Sequence, residues 1–306
     1  MSNNNKHHNH YIVVHSSHIG CACCITLPQR LLRFAQLIAG CFLLFLLNPV
    51  VASSHEAHYS HATIKTATIH PAISIIIDDI GYTYERDKRA ILLPGAVSYA
   101  FLPHTPDAVH FANLAHALHK DVLLHQPMQP IDASEDEYLG PGALTVDMDR
   151  ETFLRVLHDN LNSIPWVVGI NNHMGSLLTQ HPGDMGWLMQ ALSKRNDLFF
   201  IDSFTTKTSV VQQIANENWV LNMRRDVFLD DQRDAIHIRR QLTHLLHTAD
   251  RNGLALAIAH PYPETLQVLE QMLPTLKEKG YRLVPVSQLI KLHSMRFRTW
   301  RAFLSP

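Results

Sequence analysis

From residue 73 onward, short apolar runs alternate with longer amphipathic stretches, seven or eight times in about 220 residues. The pattern predicts strands at 73–78, 97–102, 121–125, 166–171, 198–202, 219–222, 254–259 and 282–285. It predicts helices near 84–92, 107–119, 149–161, 184–195, 207–217, 234–251, 262–279 and 287–293. Runs such as Leu254-Ala255-Leu256-Ala257-Ile258-Ala259 are apolar throughout, as in strands covered on both faces. Helices between such strands let the strands lie parallel. The fold class is α/β, an irregular (β/α) barrel of about seven units with its active site at the C-terminal rim. In the helix at 149–161, Phe153, Leu154, Leu157 and Leu161 form one stripe, and Asp147 or Asp149 can cap it.

Polar residues recur where these strands end. Ile75-Ile76-Ile77 runs straight into Asp78-Asp79, then Ile80-Gly81. Two acids cannot be core there, because buried unpaired carboxylates cost too much. On an extended strand adjacent residues point to opposite sides, so one acid can reach a metal and the other a substrate or water. The plainer alternative has one Asp capping the next helix and the other solvated. His125 closes Val122-Leu123-Leu124, and Asn171-Asn172-His173 follows Val167-Val168-Gly169-Ile170. Asp202 follows Leu198-Phe199-Phe200-Ile201, Arg225-Asp226 follows Trp219-Val220-Leu221, and His260 follows Ala259. One histidine at a strand end is usually structural; six strands ending this way on one rim describe a site.

The chemistry follows from the residue types. Imidazoles with a carboxylate, and no thiolate, suit a divalent ion of the zinc type with an open position. A second carboxylate can act as general base and a separate histidine as general acid. A neighbouring Asp or Arg can hold that histidine in the right tautomer and charge state. Together these are the parts of a metal-assisted hydrolysis of an ester or amide.

Composition narrows the field. The net charge of −1 gives no basic bias, so nucleic acid is not indicated as a partner. The four cysteines, Cys21, Cys23, Cys24 and Cys41, all precede residue 52, so the rest of the chain has neither disulfides nor thiolate metal sites. Residues 126–147 break the rhythm with Pro127, Pro130, Gly140, Pro141 and Gly142 among acidic residues. A connection this long, placed after a strand, is expected at the active-site end as a lid or substrate wall.

Residues 1–52 carry Lys6, Arg30 and Arg33 and no acid, with an unbroken apolar or small run from Leu37 to Leu47. A basic flank, a short apolar region and small residues up to Ala52 fit a secretory signal, with an uncleaved anchor touching the membrane through 31–52 as the alternative. The location expected is the periplasm or cell envelope of a bacterium. Residues 53–71 read as a linker; its His55, His58 and His61 could gather a metal if helical, or be a solvated leader. The barrel domain is assigned to 72–292. The basic tail 293–306, with interleaved apolar residues, could touch anionic lipid or an acidic partner, or simply fray.

Six motifs occur in an order that resembles the divergent polysaccharide deacetylases, relatives of the NodB-like carbohydrate esterases. They are Ile77-Asp78-Asp79-Ile80-Gly81, Leu124-His125-Gln126-Pro127-Met128, Pro141-Gly142-Ala143-Leu144, Asn171-Asn172-His173-Met174-Gly175-Ser176, Arg225 through Asp230, and Ala259-His260-Pro261. The resemblance implies Asp78 as catalytic base, Asp79 and His125 as metal ligands, and His260 as acid or carbonyl stabiliser. NodB-like enzymes carry a second histidine four residues after the first; here that position is Gln129, and His173 is expected to supply the ligand. Asp202, Arg225 and Asp226 are expected to orient these groups, and Asn171, Asn172 and Met128 to contact substrate. The activity implied is deacetylation of an envelope polysaccharide or peptidoglycan, with zinc or a similar ion as cofactor. The alternative is a catalytically inactive envelope factor on the same fold that binds glycan or a cell-wall enzyme.

Overall fold

The computed structural model describes residues 70–304 apart from Asn196. The expectations for the signal or anchor and for His55, His58 and His61 fall outside these residues. The described chain runs β1 (Ala72–Ile80), α1 (Tyr84–Ile91), β2 (Ser98–Phe101), α2 (Ala108–Ala117), β3 (Val122–Met128), α3 (Arg150–Ser163), β4 (Val167–Met174) and α4 (Pro182–Arg195). It continues through β5 (Phe199–Asp202), α5 (Val211–Glu217), β6 (Asn222–Arg224), β7 (Val227–Phe228), α6 (Ala235–Asn252), β8 (Leu254–Ala259), α7 (Pro263–Met272), β9 (Arg282–Leu283) and α8 (Val286–Leu304).

The strands lie in the order β6-β5-β4-β3-β2-β1-β8-β7, with β9 beside the start of β1, and the pairs are parallel. Only Arg225 and Asp226 separate β6 from β7. Arg225 N donates to Asp202 O at 3.0 Å and Asp226 N to Leu256 O at 2.9 Å. One extended stretch thus passes from the β5 edge to the β8 edge, and the sheet curls into an irregular barrel. A strand was expected at 219–222, ahead of this stretch, and the split was not foreseen.

Side-chain alternation sorts the core into two layers. Ile73, Ile75 and Ile77 of β1, with Ala255, Ala257 and Ala259 of β8, face the surrounding helices. Ala72 and Ile76, with Leu123, Ile201, Leu254, Leu256 and Ile258, fill the barrel. Val286, Leu289 and Ile290 of α8 join that inner set, so the last helix stoppers the N-terminal mouth. Its first turn is fixed by Asp121, whose carboxylate accepts from Ser287 N at 2.7 Å. Helix α7 stops at Met272, short of the expected 279; a 3-10 turn, Leu273–Thr275, follows around Pro274, which has no N–H for an α-helical bond.

Candidate metal centre

Asp78 has the parity of Ala72 and Ile76 and so points into the barrel at its C-terminal end. Extended backbone would send Asp79 the other way. Asp79 instead has φ 57, in the left-handed region, and both carboxylates turn toward one cavity. His125 Nε2 lies 3.7 Å from Asp78 Oδ2 and 3.2 Å from Asp79 Oδ1. The expectation that the two acids serve opposite sides is corrected by this one residue. Left-handed backbone at a non-glycine residue costs energy and persists where the surroundings enforce it.

His173 comes from β4, which β3 flanks in parallel register. His173 Nδ1 lies 3.1 Å from Asp79 Oδ1 and 3.2 Å from His125 Nε2. Three potential ligand atoms therefore form a triangle with edges of 3.1–3.2 Å. Bonds of about 2.0–2.1 Å to a tetrahedral ion would set ligands about 3.3 Å apart. The protons agree with this. Asn171 Nδ2 donates to Asp78 Oδ1 at 2.8 Å, which leaves Asn171 Oδ1 to accept from His125 Nδ1 at 2.9 Å. His173 Nε2 faces the Tyr138 carbonyl at 3.3 Å, a group that can only accept. In the neutral imidazoles, both nitrogens turned toward Asp79 then carry lone pairs. Asp79 Oδ1 is buried and has no well-formed hydrogen bond. An orphaned carboxylate oxygen and two imidazole lone pairs aimed at one point are a donor set that fits a divalent cation.

Around this triangle lie the other titratable groups. Burial pushes the Asp78 carboxyl above its usual range, against the opposing pull of His125 and His260. Burial also opposes ionisation of Asp79, yet His125 and His173, when they carry a second proton in the ion-free chain, hold it well below the carboxylate range. His260 Nε2 sits 3.7 Å from Asp79 Oδ2. Burial would lower its pKa, but the Asp230 hydrogen bond and the Asp79, Asp230 and Asp78 charges raise it to about 9. Asp230 accepts from His260 Nδ1 at 3.1 Å, from His260 N at 2.7 Å and from Thr265 Oγ1 at 2.8 Å. The ring is packed between Tyr262 and Phe228. A cavity of about 670 Å³ opens over the site, lined by Asp78, His125, His173, His260, Arg225 and Tyr138 among others.

Not every residue expected at the site reaches it. Asp202 has the outward parity of Phe200; its carboxylate accepts from Phe204 N and Ser209 Oγ and ties the 203–209 loop. Asp226 accepts from Leu256 N at 2.8 Å and seals the β7–β8 seam outside the cavity. Met128 is fully buried in the core, so its side chain does not face the cavity. Asn172 borders the cavity, but its amide is committed to Met174 O and Ser203 N. Arg225 does border it, donating to the carbonyls of Ser203 and Phe204. Gln129, at the position of the absent histidine, instead accepts from Val146 N and anchors the long connection. Two contributors went unassigned from sequence. Asp230 lies in the 225–230 motif with no role expected of it, and the Tyr138 carbonyl is a backbone group with no sequence signal.

The chain is thus a parallel α/β barrel with a histidine–aspartate cluster at its C-terminal rim. Residues 75–290 match the divergent polysaccharide deacetylase family, and the chain belongs to it. It is 36% identical over 223 residues to the uncharacterized protein YibQ of Escherichia coli, a match covering 73% of this chain and 66% of that one, just under two thirds. It is 37% identical over 210 residues to an uncharacterized protein of Haemophilus influenzae, covering 67% and 72% respectively. The crystal structure of an uncharacterized protein from Agrobacterium tumefaciens has the same fold, with a TM-score of 0.69 and 23% identity over 72% of this chain and 89% of that one.

Proposed function

We propose that this protein is an envelope hydrolase that removes acetyl groups from a polysaccharide or peptidoglycan with the help of a divalent ion, zinc being the first to try. The observation that carries the reading is the convergence of Asp79 Oδ1, His125 Nε2 and His173 Nδ1 beside Asp78 and His260. These three atoms would hold the ion. Bound there, it would polarise the acyl oxygen and make water a better nucleophile at neutral pH.

The chain's own groups do the rest. Asp78 is fixed by Asn171 and is made a stronger base by burial, so it accepts the proton of the attacking water. His260 is protonated up to about pH 9 and donates from Nε2 to the departing amine or alkoxide. Asp230 holds Nδ1 and so fixes which nitrogen faces the site. Arg225 places positive charge near Asp78 and fixes the Ser203–Phe204 backbone. In the net reaction the acyl C–N or C–O bond breaks, a C–O bond to water forms, and acetate leaves.

The direct test is divalent-ion content of untagged protein, followed by acetate release from N-acetylated chito-oligosaccharides and peptidoglycan. About one ion per chain and acetate release, both lost in Asp79→Ala, are expected. A chain that takes up no ion after zinc is added overturns the metal-dependent reading.

A further inference from the structure

The end of the barrel opposite the site carries features that the reaction does not use. Because the strands are parallel, the residues just ahead of each strand share that end. The turn ahead of β8 uses Gly253 with φ 72, and the one ahead of β9 uses Gly280 with φ 83. The turns ahead of β4 and β6 use Trp166 and Trp219 instead, with φ 67 and 60. Left-handed backbone is a marked outlier for so bulky a residue. Packing does not compensate at Trp219, which is 90% exposed; Trp166 is 53% exposed even with its stack on His116. Folding alone favours glycine at both places.

Charge divides along the same axis. Helix α8, across the N-terminal mouth, presents Lys291 and Arg296 among its described side chains, and none of those described is acidic. A cavity of about 390 Å³ at this end is lined by Trp219, Leu221, Ile290 and Lys291, with Asp197 as its one acidic residue. The opposite rim is acidic: the connection from β3 to α3 alone holds Asp132, Glu135, Asp136, Glu137, Asp147 and Asp149. The chain also enters β1 at the mouth end, after a sequence whose apolar run closes at Leu47. The 24 residues between Leu47 and Ala72 reach at most about 85 Å.

We infer that the N-terminal mouth of the barrel, Trp166, Trp219 and the basic helix α8, is a docking face for an anionic phospholipid bilayer. Tryptophan favours the membrane–water boundary, where its ring is apolar and its N–H stays wet. Lys and Arg beside it are drawn to anionic headgroups. The acidic rim is repelled from the same surface, so the bound protein presents its cavity away from the membrane.

The test is quenching of tryptophan fluorescence in the full chain by vesicles with brominated acyl chains, one set of phosphatidylglycerol and one of phosphatidylcholine. The run 37–47 is common to all variants, so differences between them report this face. Quenching at least twofold stronger on phosphatidylglycerol is expected, with the difference lost in about 1 M salt. The quenched fraction should fall in Trp166→Tyr/Trp219→Tyr. In Lys291→Gln/Arg296→Gln, which keeps every tryptophan, phosphatidylglycerol quenching should drop to the phosphatidylcholine level. Trp219→Gly should raise Tm by about 2–4 °C, because the strain is relieved and little packing is lost. Equal quenching by both lipids, or no loss in the double tryptophan variant, overturns the assignment. Dimerisation without lipid that Trp219→Gly abolishes would give the face to a second copy and also overturn it.

Discussion

His125 Nδ1 donates to Asn171 Oδ1 over 2.9 Å, while the same amide donates to Asp78 Oδ1 over 2.8 Å. One side chain thus fixes the tautomer of the histidine proposed as a ligand and the position of the proposed base. Outer groups of this kind typically change metal affinity 10–100-fold when removed. Asn171→Ala is therefore expected to weaken ion binding by about that factor and to lower turnover at saturating metal as well. Isothermal titration with zinc, paired with acetate release, reads the two effects separately.

Metal binding should couple to stability, because the unfolded chain does not hold Asp79, His125 and His173 together. At a free ion concentration of 100 times Kd, one site adds about 2.7 kcal/mol. Thermal melts should shift up with the ion and return with a chelator. Asp79→Ala and His173→Ala should melt at the same temperature with or without ion. Asp78→Asn should keep the shift and lose turnover, since Asp78 is assigned to the proton and not to the ion.

His260 offers a pH prediction with a definite sign. Its pKa rises from 6.5 to about 9 on folding. A raised histidine stabilises the fold below its unfolded pKa, and that stabilisation is lost as pH rises through the folded value. The protonated donor is lost over the same upper range, so activity should fall on an alkaline limb near pH 9. Asp230→Asn removes the charge paired with Nδ1 and should move that limb toward neutral pH by about one unit or more. An unmoved limb would show that Asp230 only shapes the loop.

Much of this was legible in the sequence, for identifiable reasons. Continuous apolar runs placed the strands, and the parallel class put every strand end on one rim, so Asp78, Asp79, His125, His173 and His260 could be grouped without coordinates. Alternation along β5, with Phe199 and Ile201 in the barrel core, already turned Asp202 outward. Its strand-end position alone suggests the site, and its parity turns it away. Three features had no local signal. The left-handed turn at Asp79 occurs at an ordinary aspartate. Asp230 meets His260 across 30 residues and two elements. The split at Arg225-Asp226 depends on which strands lie on either side of it.

Asp226 and Asp230, four residues apart, separate structural from chemical roles. Asp226 satisfies the Leu256 N–H at the β7–β8 seam, while Asp230 satisfies His260 at the cavity. Losing the acceptor for a partly buried donor costs about 1–3 kcal/mol. Asp226→Ala should therefore lower the free energy of unfolding by that much while kcat/KM of the folded fraction stays near wild type. Asp230→Ala should lower kcat and distort its pH profile, and the conservative Asp230→Glu should recover part of it. Urea melts and initial rates on the same preparations decide the matter. If Asp226→Ala instead reduced kcat with stability intact, its carboxylate would have to reach the reacting atoms in a conformation other than the one seen at the seam.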